Sequence, residues 1–420
     1  MPRPKILMIL PTARDLRHLS APEIRSRYDL AFLGRDVENP GDLDADAFLE
    51  LVRAHVRRKG RPDGLVGDDD YPANLLAGVL TQGWKLPGPS PRALWLCQHK
   101  FYSREAQKKL VPEAVPPFAL IPVNRKWKRS GLDFPFFAKP VKGYLSILSR
   151  RVDTAADLAR LQREARKKLP YFLKPFGRVA ELAKLSREFP AGGLNLVGEG
   201  LLAGHQVTLE GYVFGGRAHL IDIVDSHFYP GTGSFRRFET PSRLPEPVQE
   251  KMFRIAKRFV EGIGFDGGIF NVEFLYEPES GVAKILEVNS RMASQFADLT
   301  EALHGTNTYE ILLDLSLGRH PHFRRFAGEA KTAASFVLRK FEDAFVARVP
   351  REAELRDIRK KVPGSSFEVL VEEGRRLSSH FQQDDESYRY GLINVSARDR
   401  SELRRKFETC RRLLPFRFTR

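Results

Sequence analysis

The chain has 420 residues and a formal net charge of +16. Its length excludes a single small core and predicts two or three folded domains, and its 42% of hydrophobic residues excludes global disorder. Its two cysteines, Cys97 and Cys410, exclude a disulfide framework, and no apolar run approaches the ~20 residues that cross a membrane. Since no cleavage site follows the apolar opening, we interpret that opening as a first strand and expect a cytoplasmic protein.

The first quarter of the chain alternates short apolar runs with a helical pattern. The runs at 5–10, 28–34 and 63–67 predict buried strands. Between them, residues 44–60 carry apolar side chains every three or four positions and end in basic residues and Gly60. Strands that alternate with helices indicate a parallel α/β layer.

The next stretch predicts a smaller unit of strands and one basic helix. Residues 134–152 have the pattern of a strand, a turn containing Gly143 and a second strand. A strongly basic helix is predicted from about 154 to 168. Residues 170–198 contain helical and glycine-rich pieces and have no clear assignment.

The second half of the chain is richer in antiparallel signals. Residues 199–228 predict two strands joined by a hairpin turn at Gly215-Gly216. A long amphipathic helix follows over about 246–264. Residues 330–420 contain strand patterns and a terminal helix, which predicts a small α+β unit.

Polar side chains interrupt a predicted hairpin within "NVEFLYEPESGVAKILEVNSR". Because side chains alternate along a strand, Asn271 and Glu273 share one face of the first strand, and Glu287 and Asn289 share one face of the second. Unpaired buried carboxylates are costly, and neighbouring like charges are worse. Carboxylate and amide oxygens are suitable ligands for Mg²⁺, so the pattern favours a metal site over surface ion pairs.

These residues resemble the ATP-grasp superfamily, in which a metal carboxylate on one strand precedes a Glu-x-Asn motif on the next. Two nucleotide-side lysines and an acidic residue at the adenine hinge also match in order, over residues 5–320. The matching residues are Lys100, Lys139, Glu199, Glu273, Glu287, Asn289 and Arg291.

The resemblance implies an α/β plus α+β fold class, the ATP-grasp fold with two flanking domains. A Rossmann-like domain over residues 1–112 would precede an ATP-grasp domain over 113–328. The latter would consist of a lid subdomain at about 113–198 and a catalytic subdomain at about 199–328. A small C-terminal α+β domain over 329–420 would complete the chain.

The resemblance also implies ATP and Mg²⁺ as cofactors, with Mn²⁺ as an alternative ion. Glu273, Glu287 and Asn289 would hold the metal. The residues expected to contact the nucleotide are Lys100, Lys139, Gly143, Ser146, Glu199, Leu202 and Gln206.

Three features depart from the usual family pattern. His99 stands where many relatives have Asp before the first lysine, and Gln206 stands where many have a ribose-binding Glu. The loop after Lys139 contains only Gly143 and Ser146 of the usual small residues. ATP binding is expected, and these departures concern its phosphate and ribose contacts.

The family reaction implies that a carboxylate attacks the γ-phosphate of ATP and that an amine then displaces phosphate from the acyl phosphate. Lys139 and Arg291 would act catalytically, because positioned cations stabilise the transferring phosphoryl group. A basic loop next to the metal predicts a carboxylate substrate site. Its candidate residues are His227, Tyr229, Arg236 and Arg243, with Ser294, Gln295 and Asp298 as further lining residues.

Two other functions remain open from the residues alone. A biotin-carboxylase-like activity on bicarbonate would share the hairpin motif, but Ala293 replaces a usual polar residue there and no biotin-carrier lysine motif is present. A basic nucleic-acid or nucleotide-binding protein without turnover would explain the net charge, although no motif for reading RNA or DNA accompanies it. The expected partners are therefore a small carboxylate and an amine, with no membrane and without nucleic acid, and a homodimer is left open.

Overall fold

The computed structural model describes residues 2–35, 37, 40–70, 72–125, 127, 131–143, 147–380 and 386–420. Within these ranges, no helix combines the length and the apolar content that crossing a membrane requires. Cys97 and Cys410 are both buried and unlinked, as the sequence predicts.

The N-terminal region is a parallel sheet covered by helices, which confirms the predicted α/β layer. Among the described residues its three strands lie in the order β2-β1-β3. The elements are β1 (Lys5–Ile9), α1 (Ala13–Leu19), α2 (Pro22–Arg27), β2 (Asp29–Leu33), α3 (Ala45–Lys59), β3 (Gly64–Val66), α4 (Ala73–Trp84), α5 (Pro91–Gln98) and α6 (Lys100–Leu110). The segments that follow β1 and β3 contact later parts of the chain.

A four-stranded antiparallel sheet in the order β4-β7-β5-β6 forms a second layer in the described part of the chain. Its elements are β4 (Phe118–Pro122), β5 (Phe136–Pro140), β6 (Arg150–Val152), α7 (Ala155–Leu182) and β7 (Asn195–Gly200). We call this layer the lid sheet. The predicted boundary between 198 and 199 falls inside β7.

Helix α7 is much longer than the sequence predicts, because it continues past about 168 through Pro170 and Pro175. Proline removes a helical hydrogen bond and normally ends a helix. Here both halves are held by packing: Leu161 lies in the core of the lid sheet, and Phe176 stacks on Trp95 with ring centroids 4.4 Å apart. Burial on both sides of the prolines keeps the helix continuous.

The central sheet carries the predicted hairpins, and eight of the described strands form it in the order β12-β11-β8-β9-β10-β13-β16-β15. The two-residue turn Gly215-Gly216 joins β8 to β9, with φ angles of +59° and +73° that favour glycine. The elements up to residue 316 are β8 (His205–Phe214), β9 (Arg217–Phe228), β10 (Phe235–Thr240), α8 (Glu246–Gly262), β11 (Gly268–Glu277), β12 (Val282–Asn289), α9 (Ala297–His304) and α10 (Thr308–Ser316).

The C-terminal α+β unit is present, but its strands extend the central sheet instead of forming a sheet of their own. Its elements are β13 (Thr332–Lys340), β14 (Phe345–Arg348), α11 (Glu352–Lys361), β15 (Ser365–Val369), β16 (Tyr388–Ala397), α12 (Arg400–Leu413) and β17 (Arg417–Thr419). Strand β13 pairs with β10 on one side and β16 on the other. The predicted boundary at 328 and 329 therefore separates chain segments that share a sheet.

Helices cover both faces of the central sheet and so define where a site can open. Leu209 and Ile223 pack on α8 on one face. Val224, one residue later, packs on α9 on the other face. The face near β11 and β12 turns toward the lid sheet, and the cleft between these two sheets contains the predicted site.

Candidate nucleotide and metal site

The two predicted metal carboxylates lie directly opposite each other on adjacent strands. In the antiparallel β11–β12 pair, Glu273 faces Glu287 and Asn271 faces Asn289. Directly opposed residues project from the same face of a sheet, so all four polar side chains converge. The register then shifts by one residue, which leaves Leu286 without a partner in a β-bulge.

The surroundings of the two carboxylates shift their pKa values in opposite directions. Burial in the cleft, with the like charge of Glu287, raises the pKa of Glu273 to about 7. Burial also opposes ionisation of Glu287, but Lys100 and Lys139 outweigh it and lower the pKa of that carboxyl. Lys100 Nζ lies 2.7 Å from Glu287 Oε1, and Gln206 Nε2 donates to Glu273 Oε2 at 2.9 Å. Gln206 therefore contacts one of the two predicted metal carboxylates.

A buried charge cluster connects the lid sheet to the edge of the central sheet. Glu199 on β7 lies 2.8 Å from Arg104 Nε and 3.0 Å from Lys139 Nζ. Both cations also donate to the bulged carbonyl of Leu286, Lys139 at 3.1 Å and Arg104 at 2.9 Å. Burial alone would raise the pKa of Glu199, but Arg104 and Lys139 lower it to about 2.

This cluster includes the predicted adenine hinge, and the nucleotide contacts of Glu199 and Leu202 stay predictions. The carboxylate of Glu199, expected at the adenine hinge, is engaged by two cations, and the half-buried Leu202 lies just after it in the connection from β7 to β8. Arg104 was not singled out in the sequence. The sequence feature that could have identified Arg104 is its position four residues after Lys100, because this spacing puts both side chains on one face of α6.

Near the predicted phosphate contacts Lys100 and Gly143, the cleft contains a third lysine that sequence reasoning missed. Lys142 is 5% exposed and donates to the backbone oxygen of Asp70 at 2.9 Å and to Gln98 Oε1 at 2.8 Å. Burial lowers the pKa of Lys142 to about 8. Gly143 next to it accepts from Lys100 Nζ at 3.4 Å. The expected contact Ser146 lies outside the described residues.

His99, which replaces the usual Asp before the first lysine, is a structural residue. It is fully buried, its Nε2 lies 2.9 Å from the carbonyl oxygen of Ala191, and its ring packs on that of Tyr102. Burial lowers the pKa of His99 to about 4, so the imidazole is neutral at pH 7. It therefore adds no charge to the cleft.

Arg291 is held by acidic groups from two parts of the chain. Its Nε donates to Asp70 Oδ2 at 2.8 Å. The next two backbone N–H groups donate to carboxylates: Met292 to Asp68 Oδ1 at 3.2 Å, and Ala293 to Glu210 Oε1. The predicted lining residue Ser294 then accepts from Arg14. None of these acidic partners was identified from the sequence.

The structure does not bring the predicted substrate residues together with the carboxylates. Glu273 is in register with Thr208, and Thr208 with Val224. His227 lies three positions beyond Val224 and therefore projects from the opposite face. Arg243 lies on the same side as His227. Its Nη2 is 3.1 Å from Glu239, which pairs with Asp225, and Asp225 shares a face of β9 with His227.

The other two predicted substrate residues also lie away from the hairpin carboxylates. Tyr229 donates its hydroxyl to the carbonyl of Val337 at 3.0 Å. Arg236 is exposed at a register shift in β10. The loop follows β9 closely in sequence, but strand parity decides which face of the sheet its residues reach, and a role of these four residues in substrate binding stays a prediction.

No protein-family model matches the sequence, and no curated protein is similar to it in sequence. Solved structures, by contrast, are similar along the whole chain. The L-amino acid ligase from Bacillus licheniformis superposes with a TM-score of 0.76 at 16% identity, covering 100% of both chains. Biotin carboxylase from Campylobacter jejuni gives 0.65 at 14% identity, covering 99% of this chain and 92% of the other.

A third similar structure is N5-carboxyaminoimidazole ribonucleotide synthetase from Thermus thermophilus, with a TM-score of 0.60, 18% identity and 98% of each chain covered. These proteins share one architecture. The chain has the ATP-grasp fold. At such low identities the similarity establishes the fold, and the chemistry must be argued from the residues of this chain.

The residues of this ATP-grasp cleft fit a nucleotide with Mg²⁺. Burial and the like charge of Glu287 raise the pKa of Glu273, and a dication between the two opposed carboxylates would remove that cost. Within the described ranges, no three His, Cys, Asp or Glu side chains converge as a complete metal site. If the two carboxylates and Asn289 held Mg²⁺, phosphate and water oxygens would have to supply the remaining ligands, which is usual for this ion.

Proposed function

We propose that this ATP-grasp protein is an ATP-dependent ligase that joins an amino-acid-like carboxylate to an amine or similar nucleophile. The reaction passes through an acyl phosphate, with Mg-ATP bound between the lid and central sheets. One observation carries the proposal: Glu273 and Glu287 are opposed across β11 and β12, in a cleft that also contains Lys100, Lys139 and Arg291. Two carboxylates beside several cations form the arrangement that phosphoryl transfer to a carboxylate needs.

The lysines have clear roles in this proposal. Lys100 and Lys139 are paired with Glu287 and Glu199, and a bound triphosphate would offer both ammonium groups further oxygen partners. Lysine suits this task because its ammonium group is a compact charge on a flexible stem. Mg²⁺ held by Glu273, Glu287 and Asn289 would supply charge neutralisation at the phosphate oxygens.

Arg291 would hold the acyl-phosphate end of the substrate. Its guanidinium lies at 2.8 Å from Asp70, and the carboxylates of Asp68 and Glu210 hold the backbone that follows it. A side chain that is fixed in this way loses little freedom when it binds an anion, which favours tight positioning. The domain limits 1–112, 113–328 and 329–420, and a cytoplasmic location, remain parts of the proposal.

The test is phosphate release from ATP with Mg²⁺ and pairs of amino acids or small acids with amines. We expect release to depend on both substrates and to disappear in Glu287→Gln. The matched control is Glu279→Gln, in the exposed turn of the same hairpin, which should keep the activity. Equal release from wild type and Glu287→Gln would remove the metal assignment.

A binding measurement supports the assay without requiring the right substrates. ATP with Mg²⁺ should raise the melting temperature of the wild type, because a ligand that binds only the folded state stabilises it. Lys139→Ala should lose most of that rise. A rise of unchanged size would show that the nucleotide does not contact Lys139.

Bicarbonate is the acid to include as a separate arm, because one of the similar structures is a biotin carboxylase. Release that requires bicarbonate and no amine would favour that second function. Release that requires an organic acid and an amine would support the ligase.

A further inference from the structure

Lys142 is a buried cation to which the proposed reaction assigns no role. It follows β5 in the lid sheet, three residues after Lys139. Its ammonium group lies 5.4 Å from the ring centroid of Phe176 on α7. Burial disfavours a charged lysine unless protein groups replace the lost water. The groups that this ammonium contacts therefore indicate what the residue does.

One contact of Lys142 is with the segment that holds the side chain of Arg291. Lys142 Nζ donates to the backbone oxygen of Asp70 at 2.9 Å. The carboxylate of the same residue accepts from Arg291 Nε, with Oδ2 at 2.8 Å. The turn before Asp70 is held in addition by Asn74, whose backbone N–H donates to the backbone oxygen of Asp69 at 3.0 Å. The position of the Arg291 guanidinium thus depends on a segment that Lys142 fixes.

A second contact of Lys142 leads to the backbone next to Arg291. Lys142 Nζ donates to Gln98 Oε1 at 2.8 Å. Gln98 Nε2 in turn donates to Asn74 Oδ1 and to Ser290 Oγ, the latter at 3.3 Å. Asn74 Nδ2 donates to the backbone oxygen and to Oγ of Ser290, both at 3.0 Å. This chain of hydrogen bonds therefore ends on the residue that precedes Arg291.

The two routes meet at Arg291 and so form a closed ring of hydrogen bonds. The side chains that link Lys142 to Ser290 are all buried. In such surroundings each hydrogen bond is stronger than in water, and removing one partner leaves another buried group unsatisfied. We use the name Lys142 ring for this set, which consists of Lys142, Asp70, Asn74, Gln98, Ser290 and Arg291.

The Lys142 ring connects segments that are far apart in the chain. Lys142 belongs to the loop after β5, where nucleotide contacts are predicted, whereas Asp70 follows β3. Gln98 ends α5, and Ser290 follows β12. Attack of a carboxylate on a phosphate requires both groups in one fixed geometry, and a misplacement of about 1 Å can slow a reaction about a hundredfold. A rigid link between the loop after β5 and Arg291 would meet this requirement.

We propose that Lys142 is a positioning residue that fixes Arg291 relative to the loop after β5 through this ring. Lysine suits the role because one ammonium group offers three donors, and here it donates along both routes. Lys142 acts through Asp70 and Gln98 and is assigned no contact with substrate. The catalytic consequence rests on the proposed ligase function, whereas the structural link can be tested without it.

Lys142→Met and Gln98→Met test the ring, because methionine is a flexible unbranched side chain without an N–H donor. Gln98→Met changes no charge, so its effect on Arg291 has to pass through the hydrogen bonds. The matched control is Lys168→Met, on the exposed face of α7. If a methionine variant does not fold, Ser290→Ala replaces it, since this change removes only the hydroxyl that accepts from Gln98 and Asn74.

Hydrogen–deuterium exchange of the full-length protein, followed by mass spectrometry, measures the link without substrates. We expect the ring variants to exchange at least about threefold faster at residues 290–293, because loss of a buried hydrogen bond lowers the cost of local opening. Strand β16 serves as the reference segment and should exchange as in the wild type. Lys168→Met should leave both segments unchanged.

Phosphate release that depends on an acid and an amine measures the catalytic consequence. We expect kcat to fall about ten- to a hundredfold in Lys142→Met and in Gln98→Met, with KM for ATP changed by less than about threefold in Gln98→Met. The double variant should lie within about twofold of Lys142→Met, because both substitutions interrupt the same ring. Lys168→Met should keep the wild-type rate.

Three results would overturn the role of Lys142: unchanged exchange at residues 290–293, equal acceleration in β16, or an unchanged kcat in both ring variants. Effects of the two substitutions on kcat that multiply would overturn it as well, because they would then act separately. Absence of phosphate release in the wild type would instead refute the ligase function. The exchange measurement would still decide whether Lys142 holds Arg291.

Discussion

Replacing Glu199 with Gln tests the charge cluster that connects the lid sheet to the central sheet. The side chain is buried and lies 2.8 Å from Arg104 and 3.0 Å from Lys139. Burial opposes ionisation of Glu199, yet the two cations lower its pKa from 4.5 to about 2. At about 1.4 kcal/mol for each pKa unit, the lowering is worth roughly 3 kcal/mol of folding free energy.

Glu199→Gln should lower the free energy of unfolding by about 3–5 kcal/mol, because the substitution leaves two buried cations without their carboxylate. Denaturant unfolding at pH 7, followed by tryptophan fluorescence, measures it. Glu188→Gln is the matched control, since Glu188 pairs with Arg92 at the surface, with 45% and 53% of their side chains exposed. A surface pair of this kind contributes less than about 1 kcal/mol.

The pH dependence gives a second measure of the same cluster. Because the folded pKa of Glu199 lies below the unfolded one, its contribution is complete above about pH 4.5 and is lost as the pH falls toward 2. The wild type should therefore lose more stability than Glu199→Gln over this window. The reasoning fails if Glu199→Gln and Glu188→Gln lower the free energy of unfolding by the same small amount. It also fails if Glu199→Gln and the wild type lose equal stability as the pH falls, because the ion pairs would then be solvated.

Three other substitutions test packing and backbone features elsewhere in the fold, each by its denaturation midpoint. Gly204→Ala should lower the free energy of unfolding by at least about 2 kcal/mol, because φ is +120° and the new Cβ would lie 2.2 Å from the carbonyl oxygen of Tyr276. An unchanged midpoint would contradict this backbone conformation. Tyr309→Phe should cost about 1–3 kcal/mol, since it removes the 2.6 Å hydrogen bond to buried Asp15, and an unchanged midpoint would contradict that bond. Phe407→Ala removes a ring stacked at 3.8 Å on a neighbouring Phe and should cost about 2–4 kcal/mol, while a loss below about 1 kcal/mol would contradict the stacking.

Local patterns were sufficient to predict the hairpin that carries the predicted metal residues. Alternation along two strands and a turn at Gly281 predict that Glu273 and Glu287 share a face, and the register confirms their opposition. The Gly215-Gly216 turn was predictable in the same way, because both residues need positive φ. Such features depend on residues that are close together in the chain.

Contacts between distant segments were not predictable from these patterns. Arg104 on α6, Lys142 after β5 and Asp70 after β3 reach the cleft from three separate parts of the chain. Their sequence neighbourhoods do not distinguish them from solvated surface charges. The side of the sheet on which His227 lies also required the register of β8 with β9.

The sequence by itself determined the order of the elements and the pair of opposed carboxylates, because turn chemistry and side-chain alternation act over a few residues. Only the tertiary structure decided which cations meet those carboxylates, that α7 continues through two prolines, and that the C-terminal strands extend the central sheet. The physical reason is that these features depend on the burial of surfaces brought together from distant segments. Desolvation and pairing there outweigh local preference.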